Sequence, residues 1–398
     1  MGRRKILHVD LDAFFASVEE LRDSSLIGIA FAVGGSPTGR GVITSPSYAA
    51  RAYGVKSAMP AGKALSLCPG LKLVRGSYHL YSEYSDKVMA ILEDVSPLVE
   101  QVSVDEAFLD VSDLPQPIKD ICIELQTRVY RETGLPCSIG AATNKLVAKV
   151  ANDYGKSSVR TGKPPRKITI VTPGREAEFL APLDIQALWG IGPKTADWLR
   201  SRGFSTIGQL ANLTDDELKL YFGKHGEGTR EHARGIDHST VQSYGELKSV
   251  SNETTFHEDS TDLDFLLHRL RSLSDKVGYR LRKKNLAGSV VSIKLRYSDF
   301  TTLTRQQSLK NLTNLDDEIF KCAEKLLVAH LIPGRAVRLI GVGLSNLYEP
   351  ARQLSMFEPE LDRKEDLAAA IDKLKDRYGK EIIKRASSLN QKLTSRDD

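Results

Sequence analysis

The sequence predicts a multidomain α+β protein, and three observations carry that expectation. Short apolar runs that carry carboxylates, ILHVDL at 6–11 and the two strand halves of VEQVSVDEAFLDV at 99–111, read as strands. Apolar residues at helical spacing stand beside them, as with Phe14, Phe15, Val18 and Leu21. At 398 residues the chain is also long enough for two to four domains, each with its own core.

Composition narrows the class. A hydrophobic share of 41% with 27% charged residues is ordinary for a soluble globular protein. No apolar run is long enough to span a bilayer, and the start MGRRKILHVDL has no secretory pattern. The cysteines at 68, 122, 137 and 322 form no C-x-x-C pair, which argues against a disulfide framework or a zinc site. A reducing, cytoplasmic setting is therefore expected.

The first strand hands over to a helix at Asp10 and Asp12. A lone aspartate at such a junction ordinarily caps the helix by accepting its free N–H groups. The second strand pair, at 99–111, carries Asp105 and Glu106 in tandem, which is costly in a hairpin unless something positive lies against them. Asp10, Asp105 and Glu106, brought together from two strands, would hold two divalent cations for phosphoryl or nucleotidyl transfer. All the donors are hard oxygens, so magnesium or manganese suits them.

Next, Leu146, Val147, Val150 and Ala151 form an apolar helical stripe, with Lys145 and Lys149 off it. The run LWGIGPKTADWLRSRGFSTIGQLANL at 188–213 reads as helix–hairpin–helix: Gly190 and Gly192 permit a tight turn and Pro193 opens the second helix. Free N–H groups at that helix start can hold a DNA phosphate without reading sequence. After Gly235 the chain turns polar as far as Lys248, as a linker would.

Between Arg269 and Lys310, 11 Lys and Arg face only Asp275 and Asp299, a local balance of +9. Within it SVVSIKLRYSDF alternates as a strand does, with Lys294 and Arg296 on one face. Such clustering is the footprint of a phosphate-backbone partner. The tail places Leu367, Ile371, Leu374, Tyr378 and Ile382 on one helical face.

HVDLDAFFASVEE and SVDEAFLDV together resemble the paired palm motifs of the Y-family, or translesion, DNA polymerases, in the bacterial DNA polymerase IV-like branch. The resemblance runs from about Arg4 through Leu347. It implies a right-hand architecture: a palm with a ferredoxin-like sheet at 1–12 and 78–167, fingers at 13–77 and a thumb at 168–236. A linker at 237–247, an α/β little finger at 248–346 and a tail at 347–398 complete it.

The same resemblance assigns roles. Asp10, Asp105 and Glu106 become the catalytic ligands of two magnesium ions, with the Leu11 backbone carbonyl as a further ligand. Tyr48 and Arg51, three apart on one helical face, grip the incoming triphosphate, and arginine's planar fork suits phosphate oxygens. Lys156 completes that grip, with Lys163 as the alternative. Phe14 and Phe15 flank the nucleotide; Phe15 is expected to exclude a ribose 2′-hydroxyl by volume, and Phe14 to serve the core. DNA contacts fall to Gly190, Gly192, Lys194, Lys294, Arg296 and Arg305. Gln353, Leu354, Met356 and Phe357 resemble the peptide by which bacterial polymerases dock on the sliding clamp, an aliphatic and an aromatic anchor on an extended segment.

The expected activity is template-directed, low-fidelity addition of deoxynucleotides to a primer 3′-end. The partners implied are primer–template DNA, deoxynucleoside triphosphates and the clamp, for a monomer with no membrane association. Two rivals keep part of the pattern. A palm-type nucleotidyl cyclase would not need the hairpin thumb, the basic block or the clamp peptide. A non-catalytic DNA-binding scaffold would have no use for all three carboxylates.

Overall fold

The run Ile6–Leu11 forms β1, and its alternation decides the layout around it. Leu7, Val9 and Leu11 enter one core, whereas Ile6 enters a second on the opposite face of the sheet. His8 and Asp10 share the face of Ile6. The chain then turns sharply through Ala13, which takes a left-handed conformation (φ 47°, ψ 47°), into α1 (Phe14–Arg22). That conformation costs an L-residue about 1–2 kcal/mol.

Two strands, β2 (Phe31–Gly34) and β3 (Ile43–Pro46), precede the short helices α2 (Tyr48–Ala52) and α3 (Ala61–Leu67) and the strand β4 (Lys72–Val74). The three strands form a small sheet in the order β3-β2-β4 over a core that includes Ala32, Ile43, Ala50 and Ala64. There follow α4 (Tyr78–Val95), β5 (Val99–Gln101), β6 (Glu106–Asp110), α5 (Ile118–Thr133), β7 (Cys137–Ala142), α6 (Lys145–Ser157) and β8 (Ile168–Ile170). The main sheet runs β5-β6-β1-β7-β8. Its first four strands, with α4 and α5 as connections, give the β-α-β-β-α-β pattern of a ferredoxin-like sheet.

Strand β8 pairs parallel with β7, so this sheet extends to Ile170, past the boundary expected at 167. Helix α6 covers the face of Ile6 and Asp10 at very close range. A Cβ on Gly140 of β7 would come within 2.0 Å of the Ala148 carbonyl oxygen, so only glycine permits this packing.

Five short helices close the first unit: α7 (Glu176–Leu180), α8 (Pro193–Arg200), α9 (Ile207–Ala211), α10 (Asp215–Phe222) and α11 (Gly226–Ala233). The hairpin before α8 turns at Gly190, whose φ of 100° favours glycine. Gly192 is the N-cap in ordinary extended backbone (φ −78°), so the turn itself needs one of the two glycines and not both. Pro193 opens α8 as expected.

The second unit comprises β9 (Ser249–Ser260), α12 (Leu263–Lys283), β10 (Ala287–Tyr297), β11 (Thr302–Thr313), α13 (Asp316–His330), β12 (Val337–Tyr348) and α14 (Pro359–Tyr378). Its antiparallel sheet has the order β11-β10-β12-β9, and α12 and α13 share its core. Strand β12 continues to Tyr348, two residues past the boundary expected at 346. The computed structural model divides into Met1–Gly245 and Glu246–Asp398. It describes residues 4–158, 162–243, 245–350, 359–379 and 382–383. The clamp-like peptide 353–357 lies outside the described residues.

Much of the expected linker is fastened to the first unit. The Asn144 amide donates to the Gly235 carbonyl (2.8 Å), and Asp237 accepts from the Leu146 N–H (3.1 Å). Glu100 binds both the Gln242 N–H (3.0 Å) and the Lys145 ammonium (2.8 Å), while Ser243 donates to the Pro97 carbonyl (2.9 Å). Polar composition is blind to such staples, which is why the segment reads as free in the sequence. Glu100→Ala removes the hub and leaves Lys145 buried without its partner, at a cost of about 3 kcal/mol. Amide exchange at 240–243 should then accelerate strongly, whereas the amides of β1 should keep their protection.

Candidate active site

A cavity of about 240 Å³ opens where β1 meets α1, lined by Asp10, Leu11, Phe14, Phe15, Arg51, Asp105 and Lys156, with Thr44, Ser45 and Ser57. Seven residues singled out from the sequence thus meet in one place. Tyr48 stands directly behind, since the Arg51 guanidinium lies 5.0 Å from its ring centre. Both sit on α2, whose start is capped by Ser47 accepting the Ala50 N–H. The Tyr48 hydroxyl is pushed above its usual pKa by burial and, next, by the Asp12 charge. Lys163 is not among the residues lining the cavity, so of the two alternatives the structure brings Lys156 to it.

Asp10 and Glu106 are direct cross-strand partners in the β1–β6 register. Two like charges so placed repel unless cations lie against them. Helix α6 supplies those cations from one face, at helical spacings of four and seven residues. Lys149 contacts Glu106 at 2.7 Å, and Lys156 contacts Asp10 at 2.5 Å and Asp12 at 3.7 Å. Lys145, further up the same face, holds Glu100. Lysines that stood merely off the apolar stripe in the sequence therefore form a ladder over the acidic sheet.

These pairs set the ionisation of the site. His8 and Lys149 pull the Glu106 carboxyl down to about 2 against the opposing effect of burial. The His8 Nε2 lies 3.2 Å from Glu106 but outside hydrogen-bond alignment, so Lys149 makes the better-directed contact. Burial acts to lower the pKa of Lys156, but Asp10 and Asp12 outweigh it and keep the ammonium above its ordinary value. Glu106 stays ionised through the neutral range.

Asp12 does not cap α1. The N-cap is Ala13, without a side-chain cap bond, and the fully buried Asp12 carboxylate accepts from Ser138 Oγ (2.9 Å) and the Arg166 N–H (3.0 Å). Burial raises its pKa. Its task is to brace β1 against β7 and the approach to β8, which a one-dimensional capping rule does not detect.

Asp105 ends the turn before β6, where its carboxylate accepts from Ser103 Oγ and its carbonyl accepts the Leu11 N–H (2.9 Å). Among the described residues no three His, Cys, Asp or Glu side chains stand together in ligating geometry. Asp10 is turned to Lys156 and Glu106 to Lys149, and Asp105 faces its own turn. Neighbouring carboxylates balanced by lysines, all hard oxygen donors, nevertheless fit a divalent cation site.

At the other wall, Phe14 is 2% exposed and belongs to the core, whereas half-buried Phe15 lies stacked on Tyr81 (4.1 Å between centroids, 13° between planes). The Tyr81 hydroxyl donates to buried Glu19 (2.6 Å), which fixes that ring. Tyr81 was not visible as a site residue in the sequence, because it stands in a long helix at 78–95 with no motif around it. His8 did carry a signal, a lone polar residue inside an apolar strand, as did the lysine spacing of α6.

Among the expected DNA contacts, Lys194 is exposed in the first turn of α8. Lys294 and Arg296 alternate with Ile293, Leu295 and Tyr297, which enter the core, so both lie on the open face of the second unit's sheet. Arg305 is exposed on the edge strand β11. It pairs directly with Ile293, so it stands on the face opposite to Lys294, whose partner on β11 is Thr304. The basic block is also less free than its sum suggests. On α12, Arg271 binds Asp317 and Arg282 binds Asp316, so part of that charge serves the fold.

An acidic mixed sheet beside an arginine-bearing helix, followed by a hairpin module and a separate basic α/β unit, is the architecture of a right-hand polymerase. The impB/mucB/samB family model matches residues 9–153, the model of that family's C-terminal domain matches 247–356, and the IMS family HHH motif matches 173–204. The DNA polymerase IV of Dehalococcoides mccartyi is 41% identical over 383 residues, covering 95% of this chain and 96% of that one. That of Methanoculleus marisnigri is 42% identical with 87% and 95% covered, and that of Bacillus anthracis 38% with 98% and 94% covered. Among solved structures, a Y-family DNA polymerase chimera superposes with a TM-score of 0.77 at 25% identity, over 87% of this chain and all of that one. The chain belongs to the impB/mucB/samB family, the Y-family of translesion DNA polymerases. No helix among the described residues is long and apolar enough to cross a membrane.

Proposed function

We propose that the cavity where β1 meets α1 extends a primer 3′-end by template-directed nucleotidyl transfer, with Asp10, Asp105 and Glu106 holding two divalent cations. The observation that carries this reading is the direct register of Asp10 and Glu106 beside a cavity also lined by Arg51, Lys156 and Phe15. When bound, the two cations activate the primer hydroxyl and steady the leaving pyrophosphate. Arg51 and Lys156 supply fixed positive charge where negative charge develops on the triphosphate. Lys149 keeps Glu106 ionised and oriented, and Ala13 swings α1 so that Phe15 forms the wall against the sugar. The open sheet face of the second unit, with Lys294 and Arg296, suits a phosphate backbone, as does the exposed Gly192–Lys194 segment at the start of α8.

The test is primer extension with magnesium on defined templates. Incorporation should follow the template base and accept mismatches at an elevated rate. A cyclase would consume nucleotide without primer, and a scaffold would bind DNA without extending it. The family membership favours neither.

For the peptide at 353–357 the proposed partner is the sliding clamp. Gln353, Leu354 and Phe357 changed together to alanine should leave distributive synthesis on short primers intact and remove most of the stimulation given by a loaded clamp. Equal stimulation of variant and parent would refute that partner.

A further inference from the structure

Helix α14 begins at Pro359, beyond the family's C-terminal-domain match, which ends at 356. Its acidic side is fastened to α12. Asp372 takes a two-pronged contact from Arg282 (2.6 and 3.1 Å), and Asp376 accepts from Lys283 (2.7 Å) and from the Tyr279 hydroxyl. Arg282 and Asp372 are each only 13% exposed, so this anchor is shielded and directional, unlike a mobile surface pair.

The opposite side of the helix is apolar and open. Leu367, Leu374 and Tyr378 are 61%, 43% and 57% exposed, with Ile371 half-buried between them. Their spacing of four, three and four residues is that of an a/d seam. At about 100° per residue the seam lies roughly 140–180° around the helix from Asp372 and Asp376, so the anchoring contacts leave it uncovered. The same wheel puts Arg363 and Arg377 along one border and Lys364 and Lys375 along the other, with Asp366 further round.

We propose that α14 is a docking helix for an acidic partner: an amphipathic helix of another protein whose leucine-type stripe is bordered by Asp and Glu. The basic borders select that occupant. A second copy of α14 would set like charges against each other along the seam. A helix lying in a lipid surface needs a wider apolar face than a two-position seam offers. The rigid Arg282–Asp372 anchor presents the stripe ready-formed, which lowers the ordering cost of binding.

The test uses the full chain and a labelled synthetic helix with leucine at a and d and glutamate at e and g, followed by fluorescence anisotropy. Binding should weaken steeply with salt and fall about tenfold or more in Leu367→Ser/Leu374→Ser, with primer extension unchanged. A charge-reversed chain, Arg363→Glu/Lys364→Glu/Arg377→Glu, should lose the acidic peptide and gain one bearing lysine at e and g. Absence of binding, or equal binding of acidic and basic peptides by the parent, would overturn the proposal. So would a dimer of the parent chain that Leu367→Ser/Leu374→Ser dissolves, or tighter binding to vesicles of mixed neutral and anionic lipid than to the peptide.

Discussion

Asp105→Ala is expected to reduce single-turnover primer extension by about 10³-fold or more, since losing a metal ligand forfeits several kcal/mol of transition-state stabilisation. Asp105 is the informative choice of the three carboxylates. Its side chain lines the cavity and is bound by Ser103 of its own turn, so truncation should cost the fold little. Glu106→Ala would instead leave Lys149, only 17% exposed, without its partner and mix a stability loss into the kinetics. Thermal midpoint and DNA affinity measured beside the rate separate the two effects. An Asp105→Ala protein that is folded, binds primer–template and extends within tenfold of the parent would exclude the residue from the site.

The second large effect concerns the two phenylalanines. Phe15→Ala should admit ribonucleotides: relieving an overlap worth about 1–3 kcal/mol corresponds to a roughly 5- to 150-fold loss of discrimination. Deoxynucleotide insertion should change little, because Tyr81, tied to Glu19, still closes the wall behind the missing ring. Phe14→Ala acts on a different property. At 2% exposure its ring fills the core between α1 and the sheet, and its removal should cost about 3–5 kcal/mol of stability with the sugar preference retained. Ratios of kcat/KM for matched deoxy- and ribonucleotides, with melting curves, decide both points. Unchanged discrimination in a well-folded Phe15→Ala protein would refute the gate.

What could be read in advance followed local chemistry. The β1–α1 junction, the hairpin at 99–111 and the Pro193 helix start were legible because apolar alternation and turn residues fix them over a few positions. The convergence of Asp10, Asp105, Arg51 and Lys156 was legible through the family resemblance. What stayed hidden depends on register and tertiary packing. Arg305 and Lys294 stand on opposite faces because a strand's faces are set by its partner, here Ile293 beside Arg305, and the sequence does not name partners. The junction offered an aspartate as a helix cap, yet Ser138 and Arg166, far along the chain, claim Asp12 for a buried brace. The lysine ladder of α6 is periodic in the sequence, but its purpose appears only when Gly140 lets that helix settle on the acidic face. The staples on 235–243 obey no pattern of composition at all.

Asp10, Asp105 and Glu106 are proposed to hold two divalent cations together. Anomalous diffraction from manganese-soaked crystals of the protein with primer–template and a non-hydrolysable nucleotide reads this directly. Two manganese peaks about 3.5–4 Å apart, sharing these carboxylates and touching the Leu11 carbonyl, are the expected result. A single peak, or peaks elsewhere with Asp10 still paired to Lys156, would contradict it.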